Sequence, residues 1–98
     1  MTRDEVLAMK PGRELDALVA HEIFGAQNPD PLFRPSEHIS AALKVAERFQ
    51  DIRITRYVDP EMTMWKCEIF IHGVRYFALE KTMAAAICKA ALLAVMEE

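Results

Sequence analysis

Ninety-eight residues, 52% of them apolar and 28% charged, make one domain with a thin core, because a chain this short buries only about 60–65% of its unfolded surface. A net charge of −3 and a pI near 5.6, with 12 Lys and Arg scattered among 15 Asp and Glu, exclude the basic domain or stripe of most nucleic-acid binders. No apolar run reaches the ~18–20 residues of a membrane span, and Lys89 interrupts the nearest approach, residues 84–96.

Residues 1–11 show weak periodicity and are expected as an N-terminal arm, ahead of a single domain over residues 12–98. Pro11-Gly12 punctuates the chain. Leu15, Leu18, Val19 and Ile23 then recur at helical spacing, and Gly25 stands where a C-cap glycine belongs, so residues 13–24 form the first predicted helix. Residues 26–35 (AQNPDPLFRP) hold three prolines and make a loop, longer than the usual ~4–6 residues. Ser36 is the expected N-cap of a second helix reaching about Phe49, marked by Ile39, Ala42, Leu43 and Ala46.

From Asp51 the period shortens. Ile52 and Ile54 alternate with Arg53, Thr55 and Tyr57, which reads as a strand, and Asp59-Pro60-Glu61 turns the chain. Over residues 63–71 Trp65, Cys67, Ile69 and Ile71 point one way, Lys66, Glu68 and Phe70 the other. His72-Gly73 has the form of a two-residue hairpin turn, and residues 74–79 return as the third strand. Thr82 can cap the last helix, residues 83–96. That helix is apolar all round, so it is expected to be buried on more than one side.

The hairpin register places Ile71 against Val74, Ile69 against Tyr76 and Cys67 against Ala78, a clean apolar face on which helices can sit. The other face carries Lys66, Glu68, Phe70, Arg75, Phe77 and Leu79, joined by Arg53 and Tyr57. Phe70, Phe77 and Leu79 together are unusual on a face meant only for water. Either the first predicted helix covers it, which makes a three-layer α/β/α sandwich and is the favoured reading, or a partner does. The expected fold class is α+β: helix, helix, three-stranded antiparallel sheet, helix.

The stretches GRELDALVAHEIFG (12–25), SEHISAALKVAERF (36–49), WKCEIF (65–70) and MAAAICKAALLAV (83–95) resemble the phage ABA sandwich domain family, in that family's order and over about residues 12–96. The AIC-x-AAL run of the last helix and the LVA-x-x-[IM]-x-G ending of the first carry most of the specificity. The family often has a Trp where Ala26 and Leu43 stand here. The resemblance implies the sandwich fold and a phage or prophage origin, and it implies no catalytic residue.

Chemistry points away from an enzyme. Cys67, Cys88, His21, His38 and His72 come from five different places with no metal-ligand spacing, and both cysteines belong to apolar positions. Glycines at 12, 25 and 73 make no phosphate cradle, and no catalytic, metal or cofactor site is expected. The N-terminal stretch has no apolar signal core, so the expected compartment is a reducing cytoplasm with free thiols, which the resemblance implies to be that of a bacterial host.

Three binding roles remain. The first, which the implied phage origin suggests more than any residue does, is a homo-oligomer that sequesters a nucleotide-type immune signal, a counter-defence role, with Arg53, Tyr57, Phe70, Arg75 and Phe77 as ligand contacts. The second is an inhibitor or adaptor docking on a host or phage protein through Leu32, Phe33 and Arg34. The bland alternative there is that Phe33 staples the loop to the second predicted helix. The third is a double-stranded-RNA-binding module, whose element order the last five elements share. Residues 80–86 (EKTMAAA) offer one lysine where such modules place a basic cluster.

Overall fold

A computed structural model describes residues 2–96, so Met1 of the expected arm and residues 97–98 of the expected domain lie outside the described residues. Its elements are α1 (Arg3–Ala8), α2 (Arg13–Phe24), α3 (Ile39–Ala46), β1 (Ile52–Val58), β2 (Thr63–Ile71), β3 (Val74–Glu80) and α4 (Met83–Met96).

The first element shows that the stretch expected as an N-terminal arm contains a short helix. Thr2 and Glu5 form a capping box: Thr2 Oγ1 accepts the Glu5 N–H at 3.2 Å and Glu5 accepts the Thr2 N–H at 3.1 Å. These bonds from Thr2 hold the Glu5 carboxyl below its ordinary pKa. A helix of under two turns shows little periodicity, yet its Val6 is 1% exposed and belongs to the core.

Helix α2 has the bounds expected, ending at Gly25, whose φ of 69° suits a residue without Cβ. Helix α3 starts later than expected. Its N-cap is His38, which makes no side-chain cap bond. Ser36 is no helix cap: it is buried, its hydroxyl accepts the Gly12 N–H at 2.9 Å, and its own N–H donates to the Asp16 carboxylate at 2.8 Å. The turn closed by the His38 N–H on the Arg34 carbonyl puts Ser36 within reach of α2, where an otherwise unpaired N–H claims it. Past Ala46 the chain tightens, with Arg48 and Phe49 bonding three residues back.

The three strands form one antiparallel sheet in the order β1-β2-β3. Strand β2 and the hairpin register are as expected, Ile71 facing Val74, Ile69 facing Tyr76 and Cys67 facing Ala78. His72 and Gly73, at φ 50° and 80°, make the two-residue turn that matches strand twist. Between β1 and β2, Asp59 and Met62 exchange backbone hydrogen bonds while the Asp59 carboxylate accepts the Glu61 N–H.

Helix α4 is the middle of the molecule. Residues 84–94 are all buried, one side against β2 and β3, the others against α1, α2 and α3. Thr82 Oγ1 caps it by accepting the Ala85 N–H at 3.2 Å. The α+β sandwich therefore stands as expected, but the place of the first long helix does not. Leu15 and Val19 of α2 bury against the helical layer, where the alanines of α4 permit close approach, and α2 leaves the charged sheet face uncovered.

Candidate functional site

Register gathers the predicted ligand residues on that uncovered face. Arg53 of β1, Glu68 of β2 and Phe77 of β3 lie in one row across the sheet; Thr55, Lys66 and Leu79 lie in the next. Phe70 beside Arg75, and Tyr57 beside Met64, complete it. All five predicted ligand contacts, Arg53, Tyr57, Phe70, Arg75 and Phe77, thus share one surface. Tyr57 and Leu79 are each 45% exposed, and Tyr57, Met64, Lys66, Arg75, Phe77 and Leu79 line a shallow hollow.

The face is quilted by cations lying on rings. The Arg53 guanidinium is 5.0 Å from the Phe70 ring centre, Arg75 is 4.3 Å from Phe77, and the Lys66 ammonium is 5.4 Å from Tyr57. Arg3, from the start of α1, reaches Phe77 from the side at 5.7 Å. Glu68 is the carboxylate of the quilt, pairing with Arg75 and, at 3.7 Å, with Lys66. The Arg75 hydrogen bond, helped by Lys66, holds the Glu68 carboxyl below its ordinary pKa. Contact with the Tyr57 side chain, reinforced by Glu68, raises Lys66. Among the described residues, Arg53, Lys66 and Arg75 outnumber Glu68, so this face is locally cationic on a chain of net charge −3.

The proline loop is a second, smaller feature. Phe33 meets Phe24 edge to face, centroids 5.6 Å apart, while Arg48 covers Phe24 at 4.7 Å. The loop is thus stapled to the end of α2 through Phe24, which Arg48 of the second predicted helix covers in turn. Leu32 stays 83% exposed, and the Arg34 side chain donates to the Pro31 carbonyl. Beside them a pocket of 330 Å³ is lined by Arg13, Asp16, Pro29, Asp30, Phe33 and Glu37, among others.

Cys67 and Cys88 are free and buried. Burial pushes Cys67 up to about 12 and Cys88 higher still, which leaves no thiolate at neutral pH and makes both structural. Among the described residues no His, Cys, Asp and Glu side chains gather as a metal site, and no helix is long and apolar enough to cross a membrane.

Along the sequence, Lys89 stands out only as an interruption of an apolar run. It is 2% exposed and joins three elements: from α4 its ammonium donates to the Leu7 carbonyl at 2.8 Å and pairs with Glu80 of β3 at 2.9 Å. A lone lysine in an otherwise apolar helix, nine residues after a glutamate that closes a strand, was the available signal.

Residues 5–92 match the family described as "Phage ABA sandwich domain". A crystal structure of a phage protein from Bacillus cereus ATCC 14579 is similar, with 29% identity and a TM-score of 0.71, over 87% of this chain and 91% of that one. No curated protein matches the chain.

Proposed function

We propose that this chain, which belongs to the phage ABA sandwich domain family, is a non-enzymatic phage accessory protein that sequesters an anionic, nucleotide-class ligand as a homo-oligomer. The observation that carries this reading is the open sheet face, where Arg53, Lys66 and Arg75 lie over Phe70, Tyr57 and Phe77. Rings offer a nucleobase a flat, apolar seat worth about 1–3 kcal/mol per stacked base. The Arg53 guanidinium can rotate off its ring to meet phosphate oxygens in bidentate fashion, and Arg75 can do so by exchanging the Glu68 carboxylate for phosphate. Binding without turnover fits an open face from which Cys67 is turned away, buried on the side covered by α4. For a phage protein, the ligand class in view is a nucleotide immune signal of the host, which makes the role counter-defence in the bacterial cytoplasm.

A thermal-unfolding screen against cyclic and ADP-ribose-type nucleotides tests this. A ligand at 100 times its Kd adds about 2.7 kcal/mol of stability, and Arg53→Ala or Arg75→Ala abolishes that gain. A screen in which no nucleotide shifts unfolding removes the reading. One observation favours docking on a host protein instead: Leu32, 83% exposed, beside the 330 Å³ pocket of the proline loop. A host protein captured by the wild type and lost with Leu32→Asp would support it. RNA binding that weakens steeply with salt would replace both with the third role.

A further inference from the structure

We propose that β1 is the seam of a two-fold dimer, pairing antiparallel with β1 of a second copy about Thr55 and joining two three-stranded sheets into one of six strands. This specifies the assembly in the proposed function but rests on the edge strand alone.

Among the described residues strand β1 is an edge, packing appreciably only on β2, while α4 seats on β2 and β3. The Phe70 N–H bonds the Asp51 carbonyl, so Asp51, Arg53, Thr55 and Tyr57 turn their backbone groups toward β2. Those of Ile52, Ile54, Arg56 and Val58 therefore point outward, unpaired by the sheet. The edge has no proline and no bulge across its seven residues. Its charges do not guard it either: Arg53 folds back over Phe70, and Arg56 lies 5.7 Å from the Trp65 ring centre, both toward β2.

The strand is also complementary to itself. Facing residues in an antiparallel pair share a sheet face, so a two-fold axis normal to the sheet requires a residue opposite its own copy. With Thr55 on the axis, all four outward residues pair, Ile52 with the second copy's Val58 and Ile54 with its Arg56, for about eight backbone hydrogen bonds. Arg53 falls opposite the second copy's Tyr57, and no like charges face each other. Val58, 69% exposed, and Ile54, 36% exposed, gain apolar neighbours. The two cationic faces become continuous, with Arg53 of one copy beside Tyr57 of the other at the centre.

Sedimentation equilibrium of the full chain, without nucleotide, tests the assembly. A seam this narrow predicts a reversible dimer with Kd on the order of 1–100 µM. Ile54→Pro deletes an outward N–H and leaves the β1–β2 ladder intact, so it gives a folded monomer. Should that variant not fold, Ile54→Lys decides, because it sets Lys against Arg56 of the second copy. Thr55→Cys reads the register. At a non-hydrogen-bonded pair the Cα atoms are about 4.5 Å apart, within the range of a disulfide. Mild oxidation then doubles the mass on a non-reducing gel, while Tyr57→Cys, about 13 Å from its own copy, does not cross-link. A wild type that stays monomeric at about 1 mM overturns the proposal, as does an Ile54 variant that still dimerises or a Leu79→Lys variant that dissociates the dimer through β3. A monomer that still binds nucleotide removes the assembly and leaves the ligand reading standing.

Discussion

The two faces of the sheet are made from alternate residues of the same three strands, yet they do opposite things. On one, Cys67, Ile69, Tyr76 and Ala78 pack beneath α4, with Ile52 against the same core. On the other, aromatic rings and charges of similar bulk lie open and cover one another. The apolar face gains its stability from exclusion of water, so it tolerates change poorly. The open face trades weak cation–π and ion-pair contacts with water close by, so its residues contribute little to stability. Under the proposed function, stability and binding fall to different parities of one sheet.

That division is open to direct challenge. The largest effect belongs to Ile87→Ala, which empties a fully buried site of α4 and should cost about 3–4 kcal/mol in urea unfolding. A cost under about 1 kcal/mol would mean that the covered side is not the stabilising one. Lys89→Ala comes next, at about 2–3 kcal/mol, because it strands the Leu7 carbonyl and leaves Glu80, still partly hydrated, without its cation. Phe77→Ala on the open face should cost only about 1 kcal/mol while removing nucleotide stabilisation, a separation of stability from binding that no core variant gives.

The smallest effect concerns Glu68. Its folded pKa lies below its unfolded value, so its contribution is present above the unfolded pKa and is lost as pH falls through the folded one. Glu68→Gln should flatten that acid limb by a few tenths of a kcal/mol and strengthen nucleotide binding, by making the face uniformly cationic. Stability followed from pH 7 downward, beside ligand titrations at pH 7, checks both halves.

Much of the fold was legible along the chain. Strand β2 announces itself by alternation over nine residues, and His72-Gly73 then leaves one register for β3. Helix α4 declares its burial by being apolar on every side. The candidate ligand residues were legible for the same reason, since parity alone puts Arg53, Tyr57, Phe70, Arg75 and Phe77 together once the register is known. Less legible was everything that depends on a distant partner. Ser36 looks like a helix cap until Gly12 and Asp16 stand beside it. Val6 looks like part of an arm until α1 docks on α4.

By itself, then, the sequence determined the identity of α2, β2, β3 and α4, the hairpin register and the two contrasting faces. These follow from short-range rules: the 3.6 and 2.0 periods, a capping Thr82 and turn residues that accept positive φ. Only the tertiary structure decided that α2 joins the helical layer, that Lys89 ties α4 to β3 and α1, and that the cationic face stays bare. Those outcomes compare alternative burials of similar local sequence. Either sheet face offered apolar area to a helix, and the alanine-rich flank of α4 let α2 approach more closely than a face already filled by Arg75, Lys66 and Glu68.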